Sequence, residues 1–369
     1  MLKALMEAAD ILAARTTGKT GLGMPDFADK RYVSKPFSAS NFRPIERAEN
    51  SSSKIAFIDA GNFELLRASN FSVHLIRGYF SVFQKNQRVA PRVLSSKAEF
   101  FSVSLASASA NGIGYECALI PVSESSHAHL LPKTFSFDYF DESLAARQNF
   151  RASISVIGSA VRRYLEWSIA SEVIEKELGS GDILLRDGTL EASVCGEELY
   201  AKKAFDAAKR KNVSLCALAK TCALLTTTGF PLVSAVNELS KQNKISAPWL
   251  YHPLCENKNH VHDAEIFVCN LHKNSSRAFR FEADKSLAKI HGTIDSVLSQ
   301  TAKNSCDASF LGYPYGLIDA DASSRISFKE AGNYRAMLSS VLQNKGALDS
   351  IQKLSDSIDA HDVLNEIIL

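Results

Sequence analysis

The pattern of apolar and polar positions divides this chain into a strand-rich first part and a second part in which strands and helices alternate. Apolar runs and alternating apolar residues, typical of strands, occur first at 54–60, 71–84, 98–107 and 114–122. A long helical pattern follows at 143–178, with apolar residues three and four positions apart, and Gly179-Ser180-Gly181 ends it. The first part therefore predicts three or four antiparallel strands and one long helix.

The second part begins with a short strand that ends at Asp187. The elements predicted after it are a helix at 196–211, a strand at 213–220, a helix at 231–242, strands at 264–271 and 277–282, a helix at 284–302 and a mostly helical stretch at 314–369. A block of strands followed by alternating strands and helices predicts a mixed β-sheet flanked by helices. We expect an α/β protein.

The two ends of the chain differ in composition from its middle. Residues 1–16 predict a short helix, and residues 17–50 are rich in Gly, Ser, Pro and Asn, which is typical of an arm of low intrinsic order. We expect an N-terminal helix and flexible arm over 1–50, one main domain over 51–328 and a C-terminal helical extension over 329–369.

The composition of the chain restricts the kinds of partner and the cellular compartment that we expect. The net charge of +2 over 369 residues excludes a strongly basic surface, so any nucleic-acid contact would need a local basic groove. The seven cysteines are scattered without a Cys-x-x-Cys pair, which is typical of reduced thiols in an intracellular protein. No uncharged apolar run approaches the roughly 20 residues needed to span a bilayer. We expect a cytoplasmic protein with no membrane partner.

Two of the predicted strands end in an aspartate next to glycine. Residues 54–61 read KIAFIDAG, with Asp59 at the strand end, and residues 182–188 read DILLRDG, with Asp187 in the same position. A glycine beside the carboxylate lets backbone or a ligand come close. Because convergent carboxylates usually hold a divalent cation, the two aspartates predict the start of a metal-dependent site.

Two further acids extend this candidate site. Glu166 adjoins the apolar stripe of the long helix and could point toward both aspartates, and Asp321 falls on the second turn of a helix predicted to begin near Pro314. Four carboxylates can share a small volume only when cations neutralise them. Two metals about 3.5–4 Å apart can activate a water and stabilise the leaving oxygen of a phosphodiester. Each acid alone is more typical of a turn, a cap or a solvated helix face, so the prediction depends on the combination.

Basic residues near these acids are candidate DNA contacts. Lys202 and Lys203 belong to a basic helix that could follow a DNA backbone, although a solvated helix face explains them as well. Arg162 and Arg163 precede Glu166 and could hold phosphate near the metals, while ion pairs with neighbouring acids are equally consistent with their position.

Acids on the first strand, the first long helix, the strand after it and a late helix occur in an order that resembles the ribonuclease H-like fold. Within that fold, residues from about 54 to 330 resemble the NurA nuclease family of archaea and some bacteria. The segments that carry the resemblance are Ile58-Asp59-Ala60-Gly61, Arg162 to Glu166, Leu184 to Leu190, Leu215 to Lys220 followed by Thr221, Ile266 to His272, and Gly312-Tyr313-Pro314. No single segment is specific, and the resemblance depends on their order and spacing.

The resemblance implies a ribonuclease H-like domain with manganese-dependent DNA nuclease activity. It also implies ring-shaped homodimers that work with the hexameric translocase HerA in DNA-end processing, including repair and resection. Asp59, Glu166 and Asp187 are the implied metal ligands, Tyr313 matches an active-site tyrosine, and Lys220 matches a strand-end lysine that we count among the DNA-binding residues.

The chain departs from the family pattern at two places. The family usually has Asp-Gly-Ser at the first strand end, whereas this chain has Asp59-Ala60-Gly61-Asn62, and the late-helix histidine of the family is Asp321 here. Aspartate and histidine both occur at that position in the wider fold and both ligate divalent metals, so we expect Asp321 to serve as the fourth ligand. An added carboxylate favours a harder ion, so Mg²⁺ is a candidate cofactor beside Mn²⁺.

The sequence therefore predicts a metal-dependent deoxyribonuclease that uses a two-metal mechanism. Two other functions stay open. An actin-like ATPase or sugar kinase also places Asp and Gly after two strands, but the chain lacks a second Asp-x-Gly-x-Thr and a convincing adenosine-binding Gly-Gly element. A non-catalytic structural subunit of a nuclease complex is compatible with the departures at Ala60 and Asp321.

Overall fold

The structure is a computed structural model that describes residues 1–16, 21–46, 52–109, 112–123, 128–145, 150–290 and 292–355. The strands are β1 (Pro25–Asp26), β2 (Tyr32–Ser34), β3 (Phe42–Pro44), β4 (Lys54–Arg67), β5 (Phe71–Gln84), β6 (Gln87–Val89), β7 (Lys97–Ser109), β8 (Gly112–Pro121), β9 (Thr134–Asp138), β10 (Ile183–Asp187), β11 (Ser214–Ala219), β12 (Leu225–Thr226), β13 (Trp249–Tyr251), β14 (Cys255–Asn257), β15 (Ala264–Asn270) and β16 (Phe279–Asp284). The helices are α1 (Leu2–Thr16), α2 (Val156–Lys176), α3 (Glu197–Lys211), α4 (Leu232–Gln242), α5 (Lys285–Ala288), α6 (Thr293–Asn304), α7 (Tyr315–Ser324) and α8 (Phe328–Asn344).

A 12-stranded sheet forms the centre of the protein. Its strand order is β3-β13-β15-β16-β11-β10-β4-β5-β7-β8-β9, and β6 pairs with β5 outside this path. β10 runs parallel to both β4 and β11, whereas the other neighbours in this sheet are antiparallel. The predicted mixed sheet with flanking helices is confirmed.

Alternate residues of β4 enter two different cores. Ala56 and Ile58 belong to the core on the side of α2 and α3, and Ile55 and Phe57 belong to the core on the side of α6 and α7. A strand that is buried on both faces reads as a continuous apolar run, which explains why β4 and β10 could be identified from sequence. β10 ends at Asp187 as predicted, whereas β4 does not end at Asp59 but continues to Arg67, because β5 pairs with it along its whole length.

The long helix is shorter than predicted. α2 begins at Val156 rather than near 143, and the strand β9, which was not predicted, precedes it. Ala152 and Ile154 are buried but lie in a loop, where Tyr115 donates a hydrogen bond of 2.6 Å to the carbonyl of Ala152. The predicted helix at 284–302 is likewise two helices, because Gly292 adopts φ +81° before α6.

Part of the predicted flexible arm is ordered. Within residues 21–46, β1 pairs with β12, β2 pairs with β14, and β3 joins the edge of the central sheet beside β13. The expectation of low order is therefore wrong for this segment, because tertiary pairing outweighs its weak local propensity. The domain boundaries at 50 and 328 stay predictions, and residues 356–369 of the predicted C-terminal extension lie outside the described part of the chain.

In the described segments, none of the helices is both long enough and apolar enough to cross a lipid bilayer.

Candidate active site

Three carboxylates from distant parts of the chain meet where β10 ends beside β4. Oxygen atoms of Asp59, Asp187 and Asp321 all lie within 4.8 Å of one another. The register of the parallel pair β4 and β10 explains two of them, since Arg186 lies opposite Ile58 and the two aspartates follow one position further along each strand. The third acid comes from α7, which packs against β4 and β5. The predicted convergence of these three acids is thus present in the structure.

Two glycines let α7 come close enough to bring Asp321 to the site. A Cβ on Gly316 would lie 2.0 Å from the ring of Phe57, and a Cβ on Gly61 would lie 2.6 Å from the carbonyl oxygen of Ser324. Both ends of α7 therefore touch β4 at positions that have no room for a side chain. This gives a physical reason for the Ala-Gly order after Asp59, because the glycine must occupy position 61 for the end of α7 to approach.

Lys220, one residue beyond β11, lies between two of the acids. Its Nζ atom is 2.5 Å from Asp187 Oδ2 and 2.7 Å from Asp321 Oδ1. Burial alone would raise the pKa of Asp321, but hydrogen bonds from Lys220 and Arg325 hold it below its usual value. The Lys220 ammonium therefore partly neutralises the carboxylates, in addition to its predicted contact with DNA.

Asp59 is the acid that is hardest to ionise. Burial, followed by the nearby charges of Glu166 and Asp187, raises its pKa to about 7. Its Oδ2 accepts a hydrogen bond of 2.9 Å from the Ser324 hydroxyl, and its Oδ1 accepts one of 2.8 Å from the Ala60 N–H. These two donors fix the orientation of the carboxylate without neutralising it, so a cation at this point would relieve the repulsion.

Tyr313 orients a second acid. Its hydroxyl donates a hydrogen bond of 3.2 Å to Asp187 Oδ1, on the opposite oxygen from Lys220. Burial and the neighbouring charge of Asp187 raise the pKa of Tyr313 far above its usual value, so the phenol stays a neutral donor. Burial raises the pKa of Asp187 as well.

Glu166 is directed into an ion pair. Arg186 Nε lies 2.8 Å from Glu166 Oε1, Arg186 Nη2 lies 3.2 Å from Oε2, and Arg162 Nη1 lies 3.4 Å from Oε2. The Arg186 guanidinium also lies 4.3 Å from the centroid of the Trp167 ring. Glu166 is a close electrostatic neighbour of Asp59 but does not belong to the three-acid group found among the described residues. Its role as a metal ligand stays a prediction.

Sequence reasoning missed Arg186. A charged residue inside a strand that is otherwise apolar is the signal that could have identified it, because a buried arginine almost always has an anionic partner.

The predicted DNA-binding residues lie in different places. Arg162 Nη1 donates to the carbonyl of Ala60 at 2.9 Å, which places it beside the acids. Arg163 pairs instead with the buried Glu197, whose Oε2 lies 2.8 Å from Arg163 Nε. Lys202 and Lys203 are exposed on α3. Only Arg162 and Lys220 of this predicted set are therefore in contact with the acidic site or its strand end.

The donor set fits a divalent cation. Three carboxylates offer hard oxygen ligands, which suit Mg²⁺ and Mn²⁺. Ligands bound about 2.1 Å from an octahedral ion are separated by roughly 3–4 Å, so oxygens within 4.8 Å of one another need only small side-chain shifts to share an ion.

No protein-family model and no curated protein matches this chain. Among solved structures, the crystal structure of NurA matches with a TM-score of 0.50 and 9% identity, over 95% of this chain and 99% of that chain. An endonuclease V from Ciona intestinalis in complex with inosine-containing DNA matches at TM-score 0.36 and 11% identity over 81% of this chain and 89% of that one. Argonaute from A. aeolicus matches at TM-score 0.33 and 11% identity over 76% of this chain and 28% of that one. The likeness to NurA extends over nearly all of both chains, so this protein shares the fold of NurA, in agreement with the resemblance inferred from sequence.

Proposed function

We propose that this protein is a metal-dependent nuclease that hydrolyses phosphodiester bonds in DNA. The observation that carries the proposal is the meeting of Asp59, Asp187 and Asp321 within 4.8 Å, where β10 ends beside the parallel strand β4. Their position in a fold shared with NurA supports the same assignment.

Each residue of the site would have its own role in phosphodiester hydrolysis. Asp59, Asp187 and Asp321 would hold the cation, with Ser324 and Tyr313 fixing the orientation of the first two. A bound divalent ion supplies an activated water and stabilises the charge that develops on the leaving oxygen. Lys220 supplies a positive charge at the same point, where it can pair with a phosphate once a metal neutralises the acids.

The finer assignments are part of the same proposal. A second ion, as in a two-metal mechanism, would require Glu166 to turn from Arg186 toward Asp59. Mn²⁺ and Mg²⁺ both fit the oxygen donors. DNA-end processing with a HerA-type translocase, and a homodimeric state, are supported by the resemblance in sequence segments and by the NurA-like fold.

The test is cleavage of labelled single- and double-stranded DNA with Mn²⁺, with Mg²⁺ and with EDTA. We expect cleavage only with metal, and we expect Asp59→Asn and Asp187→Asn to lose more than about 100-fold in rate, beyond what changes outside the ligand set usually cost. Asp206→Asn, an exposed aspartate on α3, is the matched control and should cleave normally. Cleavage that persists in both site variants would contradict the proposal.

The position of Lys220 favours one alternative function. Its ammonium lies within 2.7 Å of two of the three acids, which is where a cation would be expected. A scaffold subunit that has lost its metal could be stabilised in this way. Metal titration separates the two functions, because a working site should gain thermal stability on binding Mn²⁺ or Mg²⁺ and an inert subunit should not.

A further inference from the structure

A cavity of about 690 Å³ opens directly beside the three-acid site. Asp321 belongs to both, and Lys220 and Tyr313 of the cavity wall contact Asp187, so whatever occupies the cavity lies next to the acids. Its other walls come from α4 and from the segments that precede β16 and α7. The volume is within the range of about 300–1,000 Å³ that is typical of sites for small organic ligands.

One wall of this cavity is aromatic. The ring of Phe310 lies 5.7 Å from that of Tyr313 and 6.3 Å from that of Phe279, and Phe279 lies 5.2 Å from Tyr313. Phe279 and Tyr313 are buried, whereas Phe310 is half-exposed to the cavity. The Arg277 guanidinium lies 4.9 Å from the centroid of the Phe310 ring. A flat, partly exposed ring backed by two others is a rigid surface for stacking.

The charged residues of the cavity favour an anion. Lys220, Arg277 and Arg325 contribute three positive charges, against the single negative charge of Asp321. Arg277 is exposed and can turn toward a ligand, and the exposed Arg325, whose Nη2 lies 2.5 Å from Asp321 Oδ2, can exchange this ion pair for a phosphate when a metal neutralises Asp321. Ser234 and Asn237 of α4 add hydrogen-bonding groups on the wall contributed by that helix. These groups match the parts of a nucleotide: the aromatic surface suits the base, the basic side chains suit the phosphate, and the polar groups can form hydrogen bonds with the base or the sugar.

We propose that this cavity is a subsite for one unpaired nucleotide next to the phosphate to be cleaved, an inference that rests on the proposed nuclease function. The Arg277 guanidinium, which lies over the Phe310 ring in the structure, moves outward so that the base stacks on Phe310 and the guanidinium covers the other face of the base. The flanking phosphate contacts Arg325 and Lys220. Both arrangements are common for bases held outside a helix, because aromatic rings and guanidinium planes stack on them.

This arrangement selects for single-stranded DNA or a frayed end. A base inside a duplex is already stacked and paired, and taking it out costs the free energy of unstacking and unpairing. A nucleotide of a single strand enters the cavity without that cost. The acids therefore receive a phosphate whose neighbouring base is unpaired.

The test is DNA binding in EDTA, so that it does not depend on catalysis. The probes are a single-stranded oligonucleotide that carries the fluorescent base 2-aminopurine and a blunt duplex of the same sequence. We expect Phe310→Ala to weaken single-strand binding by about 5- to 150-fold, the value of one stacked base, and to abolish the stacking-dependent quenching of the probe. Duplex binding should not change. Phe140→Ala removes an exposed phenylalanine just after β9 and is the matched control.

Several results would overturn the inference. One is single-strand affinity and quenching that stay at the wild-type level in Phe310→Ala, and another is an equal loss on single-stranded and duplex DNA. If Phe310→Ala does not fold, as judged by its circular dichroism, the same assay is run on Arg277→Gln, which changes the residue at the exposed face of the Phe310 ring. Weaker quenching of the probe in Arg277→Gln would support the inference, and unchanged quenching would contradict it. Metal-dependent cleavage with a wild-type-like Phe310→Ala overturns this inference alone, whereas Phe310-dependent binding without any cleavage contradicts only the proposed nuclease function.

Discussion

Glu166 and Arg186 form an ion pair in which both side chains are at most 3% exposed, with Arg186 Nε 2.8 Å from Glu166 Oε1. The pair joins the middle of α2 to the residue that precedes Asp187. Breaking a buried pair by removing one partner leaves an uncompensated charge, whereas replacing both partners is far less costly. This asymmetry can separate a structural role of Glu166 from a catalytic one.

We predict that Glu166→Gln lowers the free energy of unfolding by about 3–5 kcal/mol, because Arg186 loses its anionic partner. The double variant Glu166→Gln with Arg186→Met should recover most of this loss. Denaturant unfolding measures the stability, and the DNA cleavage assay is run on the same samples. A stable double variant without cleavage would support Glu166 as a metal ligand, and one with normal cleavage would restrict Glu166 to a structural role.

Gly316→Ala tests how α7 positions Asp321. The new Cβ would lie 2.0 Å from the Phe57 ring, so α7 must shift away from β4. We predict a loss of about 1–3 kcal/mol in stability, as is usual for overpacking, together with weaker stabilisation by Mn²⁺. Gly332→Ala on α8 has nothing within 4 Å of its new Cβ and should be neutral or slightly stabilising. Equal metal-induced shifts in melting temperature for Gly316→Ala and the wild type would contradict the role given to α7.

Replacing Lys220 tests whether its ammonium occupies the place of the metal. Burial would lower the pKa of Lys220, but the two acids it contacts raise it, so the side chain stays charged. We predict that Lys220→Met is less stable than the wild type without metal, since Asp187 and Asp321 lose their cation, and gains more in melting temperature from Mn²⁺. Lys202→Met on α3 is the control. A smaller metal-induced shift in Lys220→Met would show that the lysine and the ion do not compete.

The ionisation of Glu282, on a strand behind the site, makes the stability of the protein depend on pH in the acid range. Burial alone would raise its pKa, but Arg280 and then His262 hold the pKa at about 2. Because this pKa is depressed, the stabilisation is complete above the unfolded-state value of 4.5 and is lost as pH falls toward about 2. We predict that Glu282→Gln is about 3–5 kcal/mol less stable near neutral pH and that its difference from the wild type narrows over this acid range. Melting temperatures measured from pH 7 to pH 2.5 check this, and a constant difference would contradict it.

The parts of the fold that sequence predicted are those in which one local pattern decides the structure. β5 and β10 are buried along most of their length, β4 is buried from Ile55 to Ile58, and their composition shows it. The short strands β1, β2 and β3 form only because distant strands pair with them, which no local pattern reveals. The start of α2 was misplaced for a related reason, since the buried residues before Val156 pack as loop against the sheet.

The candidate site was also predicted in part from the sequence. Asp59 and Asp187 follow the buried apolar runs of two neighbouring parallel strands, and Asp321 lies on a helix that starts after proline, so sequence alone could identify all three. The direction of Glu166 depends on Arg186, a residue 20 positions away whose side chain is buried beside it. Such pairings arise from the packing of α2 on the sheet and have no signature in the spacing of residues.

The pairing of β3 with β13 has a consequence for shortened versions of this chain. Arg43 and its two neighbours cover the outer side of Trp249–Tyr251, so a fragment that starts at residue 51 would leave that strand with unpaired amide and carbonyl groups. Exposed strand edges recruit other chains by hydrogen bonding. A truncation that removes residues 1–50 would therefore expose a strand edge and produce a fragment that is prone to aggregation.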